Sequence, residues 1–342
     1  MIKKIPLEEA VGLPLAHDIT EIRPGQFKGV AFSRGHIVQE EDLEHLRRLG
    51  KTHIFVLQLE ANQLHEDDAA RLLAEALCGP GARPAGLPRE GRVNIVAAID
   101  GLFRVNTTAL FEFNLLGEVM CSCRHGDIVV RRGQVLAGTR AIPLAPSKEL
   151  VDQAIAIAQR AGGVFSVLEL FRRKIGLVVT GNEVFSGLIQ DGFVPAVKPK
   201  IARLGGEIIE VSFCPDDAER IASALWALKE KGAELIIAAG GMSVDPDDVT
   251  RMGIEKAGAH DIAYGTAVLP GAMGLVAYLD DVPVLGAPGC VIYAPSTVLD
   301  ILLPRLMAGL KIDRKEIARL GHGGMCLGCS DCRFPDCAFG KG

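Results

Sequence analysis

The sequence predicts an α/β fold: a parallel or mixed sheet with helices on both faces in its second half, preceded by an N-terminal α+β region. Three observations carry this expectation. From Lys174 onward apolar runs alternate with amphipathic ones, and "KIGLVVTG", "EIIEVSFCP" and "AELIIAAGG" each read as a buried strand ending in glycine or proline. Between the last two, Ala218, Ile221, Leu225 and Leu228 fall at helical spacing on one face, and parallel strands need such a helical crossover. The composition agrees: 49% hydrophobic but only 5% aromatic, with 39 glycines to make tight turns.

At 342 residues the chain exceeds what one core usually serves. The expected division is 1–170 (α+β), 171–311 (α/β) and 312–342 (a cysteine-rich tail). A formal charge of −5 gives no broad electrostatic reason to expect nucleic acid or a membrane surface as partner, so small ligands are the better expectation. The start "MIKKIPLEEA" lacks the apolar core of a signal peptide, and no stretch stays apolar for the roughly 20 residues of a membrane span. A cytoplasmic protein is expected.

The N-terminal elements follow in order. "IPLEEAVGLPLAHDI" is a short amphipathic stretch, and "VQEEDLEHLRRLG" is a helix with Leu43, Leu46 and Leu49 on one face and Gly50 as its C-terminal cap. "THIFVL" reads as a strand and residues 66–77 as a second helix. The glycines and prolines of "CGPGARPAGLPREG" predict a loop or linker. Residues 93–144 are short, β-branched and punctuated, hence mostly β, with one helix near 107–114. "SKELVDQAIAIAQRAGG" is a helix ending at Gly162 and Gly163. In the second half Asp216 with Glu219 suggests a capping box, "MGLVAYL" and "VPVLGAPG" read as strands, and "APSTVLDILLPRLMAG" as a helix.

In open parallel sheets ligands bind at the carboxyl ends of strands, where glycine lets backbone approach closely. Four turns have that character: "TGNEVFSG" (180–187), "AGGMSVDPDDVT" (239–250), "LPGAM" (269–273) and "GAPGCV" (286–291). In the second, Asp245 could cap a helix with Pro246 at its first position, while Asp247 and Asp248 complement the helix dipole. The alternative makes Gly240, Gly241 and Ser243 an anion cradle. The carboxylates would then hold Mg²⁺ or accept the paired N–H donors of an aminopyrimidinone such as a pterin. Asn182 and Glu183 likewise serve either as turn residues or, beside Thr180 and Gly181, as part of a site.

Taken together, "TGNEV", "KIARLGGEIIEVSFCPDDAERIASAL", "AELIIAAGGMSVDPDD", "LPG" and "GAPG" resemble, in order, the molybdopterin-binding domain shared by MoeA/gephyrin-type molybdotransferases and molybdopterin adenylyltransferases. The resemblance implies that strand-end loops hold the pterin and its terminal phosphate. By position it assigns Thr180, Gly181, Asn182 and Glu183 to the first loop and Gly240, Gly241, Met242, Ser243 and Asp245 to the second. Pro270, Gly271, Pro288 and Gly289 fall in the last two. Asp245, Asp247 and Asp248 are the candidates for chemistry. "IPLEEAVGLPLAHDI" and "VQEEDLEHLRRLGKTHIFV" are similar to segments of MoeA-type proteins. That family's Ser-Ala-Met-Asp-Gly loop has no counterpart between Ile19 and Phe32, however, and Ala272 replaces its Pro-Gly-Lys-Pro lysine. A missing lysine removes a phosphate or molybdate partner, so the resemblance implies molybdopterin or molybdenum-cofactor binding ahead of molybdotransferase activity. Biosynthesis, handling and sensing of the cofactor all fit, as does a non-catalytic role. A homo-oligomer is expected, with molybdoenzyme apoproteins as further partners. "DPDDVT" also resembles competence-damage-type nucleotide pyrophosphatases, which implies Mg²⁺ on Asp247 and Asp248.

Cys326, Cys329, Cys332 and Cys337 form C-x2-C-x2-C-x4-C, four of the chain's nine cysteines. Clustered thiols in a reducing compartment suggest a metal. Zinc sites usually draw on two separated pairs, whereas cysteines two apart resemble the ferredoxin-type run for an Fe–S cluster. Both remain open, with His322 as a substitute ligand, and with so few apolar residues the tail is expected to depend on its metal for order. "CSCRH" (121–125) is a weaker candidate.

Overall fold

The computed structural model describes residues 2–23, 25–57, 59–242 and 248–341. The chain forms two compact units. One comprises Met1–Ile99, Val105–Arg124 and Arg131–Val167; the other, Asp100–Arg104, His125–Val130 and Leu168–Gly342.

In the first unit Ile2–Pro6 pairs antiparallel with His53–Leu57, and Ile19–Arg23 with Phe27–Phe32. Leu7, Leu15, Val38, Leu46 and Ile54 make a small core there. A four-stranded antiparallel sheet runs in the order Ala82–Arg89, Arg92–Ala97, Val135–Ala141, Val119–Cys123. The first of these strands lies in the segment expected to be a loop. Proline cannot donate to a ladder, but this strand is at an edge, where Pro84 and Pro88 are tolerated, and its register shifts between Ala85 and Arg89. The helix Glu66–Leu77 is capped by His65, whose Nδ1 accepts from the Asp67 amide while Nε2 donates to the Ala16 carbonyl.

The second unit is built on a six-stranded sheet with helices on both faces. Its elements are β1 (Lys174–Thr180), α1 (Phe193–Arg203), β2 (Glu207–Cys214), α2 (Ala218–Glu230), β3 (Leu235–Ala239), α3 (Thr250–Lys256), β4 (His260–Tyr264), β5 (Leu275–Leu279), β6 (Val282–Ala287), α4 (Val298–Met307) and α5 (Arg314–Arg319). The sheet order is β2-β1-β3-β6-β5-β4. The first four strands are parallel; β5 runs against β6, and β4 against β5. The sheet is therefore mixed: the tight turn at Asp280, with φ of 53°, is too short for a crossover and reverses the chain.

Side chains alternate across β1. Leu177 and Val179 join Phe193, Val197, Leu302 and Leu306 on one face, while Val178 meets Ile221, Leu225 and Ile254 on the other. Helices α1 and α4 thus cover one side of the sheet, and α2 and α3 the other. Each fully buried aliphatic side chain contributes roughly 1.5–3 kcal/mol. Asp217, not Asp216, caps α2: its carboxylate accepts from the Arg220 amide. The tail belongs to this same unit, with Phe339 in its core at 4% exposure. Among the described residues no helix is long and apolar enough to cross a membrane.

Candidate ligand-binding site

The register places four turns at one edge of the sheet. Thr180 pairs with Cys214, Val179 with Ala239, and Ala239 with Ala287, so the parallel strands β1, β3 and β6 end side by side. Because β5 is antiparallel and Leu275 pairs with Gly286, the 270–274 turn enters β5 at that same edge. The loops bearing Gly181, Gly240–Gly241, Pro270–Gly271 and Pro288–Gly289 therefore share one rim.

Glycine is required where β3 ends. Gly240 and Gly241 have φ of 93° and 54°, and a β-carbon on either would lie 2.5 Å from the Thr180 carbonyl oxygen or the Thr250 Oγ1 respectively. This close approach brings two hydroxyls together. Thr180 Oγ1 donates to the Ala239 carbonyl at 3.2 Å, and the Thr250 hydroxyl donates to Thr180 Oγ1 at 2.7 Å. Both residues are buried, Thr250 completely. Thr180 thus fastens the β1 and β3 loops together with its hydroxyl turned into the protein.

The first loop presents other groups. Gly181 adopts φ of 138°, and its amide donates to the Cys214 carbonyl. Asn182 and Asp216 are reciprocally bonded: the Asn182 amide donates to the Asp216 carboxylate at 2.9 Å, and the Asp216 amide to Asn182 Oδ1 at 3.1 Å. Asn182 and Glu183 are exposed. Beyond β3, Met242 is buried against Gly286, and its carbonyl accepts from the Tyr264 hydroxyl at 2.9 Å. Ser243, Asp245 and Asp247 lie outside the described residues; Asp248 is half-buried. Gly271, with φ of 128°, packs on Val298, where a β-carbon would come within 2.5 Å of Cγ1. Pro288 is buried and Gly289 exposed.

Ala272 brings no charge, but two cations stand on neighbouring elements. The Arg251 guanidinium lies 4.9 Å from the Tyr264 ring centroid and that of Arg220 lies 5.9 Å from the Phe185 ring. Burial pushes the thiols of Cys214 and Cys290 up from their ordinary range. Burial thus favours the protonated thiol at both positions.

In the tail, Cys326 and Cys337 are half-buried and Cys329 and Cys332 exposed. Among the described residues no three His, Cys, Asp or Glu side chains are grouped to hold a metal ion. Cys121 and Cys123 stand two apart on one strand of the first unit and so share a face, and burial raises both thiols.

Sequence reasoning assigned no role to Thr250 or Tyr264 and offered Asp216 only as a helix cap; their partners lie 70, 22 and 34 residues away. It also gave no sign of a cleft of about 1090 Å³ in the first unit, lined by Asp18, Lys28, Arg89, Glu90, Arg92 and Arg140.

In α/β domains ligands bind where glycine turns gather at the carboxyl edge of parallel strands, and this unit has such an edge. Residues 176–308 match the family model described as "Probable molybdopterin binding domain", and this segment is a molybdopterin-binding domain family member. Residues 4–58 match a model for a domain of unknown function. A CinA-like protein of Mycobacterium avium is 35% identical over 77 residues, 22% of this chain and 18% of that one. A Mycobacterium tuberculosis CinA-like protein is 34% identical over the same length and shares. The chain thus spans less than a fifth of the length of these curated relatives. Among solved structures, the molybdopterin biosynthesis enzyme MoaB of Thermus thermophilus is 22% identical, covering 40% of this chain and 97% of its own, with a TM-score of 0.34. A molybdenum cofactor biosynthesis protein of Pyrococcus furiosus is 14% identical over 91% of this chain and 66% of its own, with a TM-score of 0.26.

Proposed function

We propose that the second unit binds a pterin phosphate of the molybdopterin class at the shared rim, and that the protein serves in biosynthesis, handling or sensing of the molybdenum cofactor. The convergence of four glycine-bearing turns within the segment matching the family model carries this reading. Exposed Asn182, Glu183 and Gly289 offer contacts, the backbone of Gly181, Gly240 and Gly241 offers close approach, and Ser243, Asp245, Asp247 and Asp248 belong to the site through the resemblance. Thr180, Met242, Gly271 and Pro288 shape it from beneath. With alanine at 272, binding is favoured over molybdate insertion. The protein would act in the cytoplasm as a homo-oligomer, with molybdoenzyme apoproteins as candidate partners.

The test is anoxic calorimetric titration of the full chain with molybdopterin. A charge-assisted bond contributes about 1.5–3 kcal/mol, so Asp248→Ala should weaken binding by about 10- to 150-fold. Absence of binding to the parent protein would sink the reading. The CinA-like matches favour a second reading, Mg²⁺-dependent cleavage of a nucleotide pyrophosphate with Asp247 and Asp248 holding the ion. Release of AMP from ADP-ribose only when Mg²⁺ is supplied would establish it.

A further inference from the structure

The tail is held by more than its thiols. The Cys326 amide donates to the Leu269 carbonyl at 2.8 Å, the Leu269 amide to the Gly324 carbonyl at 2.8 Å, and the Gly340 amide to the Gly323 carbonyl at 2.9 Å. Phe339 is buried, and Phe334 meets it edge-on at 5.9 Å. This corrects the expectation that the segment has little besides metal to order it: its backbone is pinned at both ends of the cysteine run.

Within that frame Cys326, Cys329, Cys332 and Cys337 all line one cavity of about 90 Å³. That is several times the ~10–15 Å³ a single water needs. The walls between the thiols are largely apolar, including Leu327, Phe334 and Phe339. Ser296 approaches from outside the tail, its Oγ 3.2 Å from Cys332 Sγ.

The four cysteines share the lining of one apolar cavity, and that bears on the two metals the spacing left open. A zinc ion with Zn–S bonds of ~2.3 Å draws four thiolates to within about 3.8 Å of one another. An Fe–S cluster instead distributes its thiolates over different irons and needs a dry pocket between them, with hydrogen bonds to sulfur tuning its potential. We infer that these four cysteines hold an iron–sulfur cluster, with the Ser296 hydroxyl donating to the thiolate of Cys332. The site is mounted on two rim loops: Leu269 immediately precedes Pro270, and Ser296 lies between the 288–291 loop and α4.

This inference does not rest on pterin binding, and its test requires no pterin. The full chain is purified anoxically, reconstituted with ferrous iron and sulfide, desalted, and assayed for iron, acid-labile sulfide, zinc and visible absorbance. Iron and sulfide in about equal amounts, with a visible band bleached by dithionite, are expected. Cys329→Ser/Cys332→Ser alters exposed side chains, so the fold should persist by circular dichroism while bound iron falls at least about tenfold. Cys123→Ser should retain full iron. A colourless protein holding zinc alone, a protein holding neither metal, or a double variant that keeps its iron would each overturn the assignment.

Discussion

The Thr180–Thr250 contact decides whether Thr180 meets ligand or supports the loops that do. Valine nearly matches threonine in shape, so Thr180→Val and Thr250→Val remove hydroxyls with little change in packing. In Thr250→Val, Thr180 still donates to the Ala239 carbonyl, and the loss is one ordinary hydrogen bond, about 0.5–1.5 kcal/mol. In Thr180→Val the bond to the Ala239 carbonyl is lost, about 0.5–1.5 kcal/mol, and the fully buried Thr250 hydroxyl loses its acceptor; an unsatisfied buried group costs about 1–3 kcal/mol more. The double variant leaves no hydroxyl to satisfy: removing both partners of the Thr180–Thr250 bond is nearly neutral, and the lost bond to Ala239 costs about 0.5–1.5 kcal/mol. The summed single losses should therefore exceed the double by about 1.5–4.5 kcal/mol, well above the ~0.3–0.5 kcal/mol scatter of independent sites. Equilibrium urea unfolding followed by tryptophan fluorescence measures this directly. The chain's one tryptophan, Trp226, lies on α2 and donates from Nε1 to the Ala257 carbonyl just beyond α3, so it reports on this unit. Additive losses would refute the coupling. Weakened ligand binding by Thr180→Val without loss of stability would show that its hydroxyl faces the ligand after all.

Gly241→Ala should cost about 2 kcal/mol in the same assay, since φ of 54° is left-handed backbone and the new β-carbon meets the Thr250 hydroxyl; unchanged stability would place the glycine in a different conformation. Substituting Gly241 is consequently a poor test of ligand contact. Asp217→Ala should lose about 1 kcal/mol of helix capping, whereas Glu219→Ala should lose little, and the reverse order would restore the capping box built on Asp216. Burial raises the Glu66 pKa above its ordinary 4.5, reinforced by Asp67 and opposed by Arg140. The folded state therefore binds this proton more tightly than the unfolded one, and the associated stability is present below 4.5 and lost as pH rises through the folded value. Glu66→Gln should gain melting temperature relative to the parent between pH 4 and 7, and a gap that moves the other way would contradict the assigned cause.

What the sequence made legible was whatever depends on a residue and its near neighbours. The strands β1, β2 and β3 announced themselves as apolar runs, α2 by its spacing, and the rim by its glycines, of which Gly181, Gly240, Gly241 and Gly271 have a positive φ that few other residues adopt cheaply. Helix α1 was not assigned, since Pro195 and Pro199 mask the Phe193, Val197, Ile201 stripe that buries it. Strand β4, "HDIAY", has one fully buried residue and owes its place to pairing with β5. The choice between Asp216 and Asp217 as cap turns on backbone angles, and Asp216 is engaged by Asn182 from a loop 34 residues earlier. The cysteine spacing suggested a metal, but it gave no sign that Cys326, Cys329, Cys332 and Cys337 line one apolar cavity together with Ser296.

Helix α4 shows how the unit's remote segments are fixed. All ten of its positions are buried, yet two carry charge. Asp300 closes a capping box with Thr297 and receives Lys200 Nζ at 2.7 Å; that ammonium also donates to the Pro295 carbonyl, tying α1 to the segment below the 288–291 loop. Five residues on, Arg305 reaches Asp127 at 3.1 Å, and Arg104 meets the same carboxylate. Burial lowers the Arg305 pKa, with the Asp127 charge opposing that shift. Apolar residues of similar volume often stabilise a core as well as buried ion pairs do, whereas removing one partner of such a pair typically costs about 3–5 kcal/mol. The charges are therefore better understood as determinants of attachment than as sources of net stability. Each stands where a segment from elsewhere in the sequence must join α4, and an apolar surface alone would not specify which segment. The same helix supports Gly271 through Val298 and Gly340 through Ile301, so the rim and the cysteine tail rest on one rigid element.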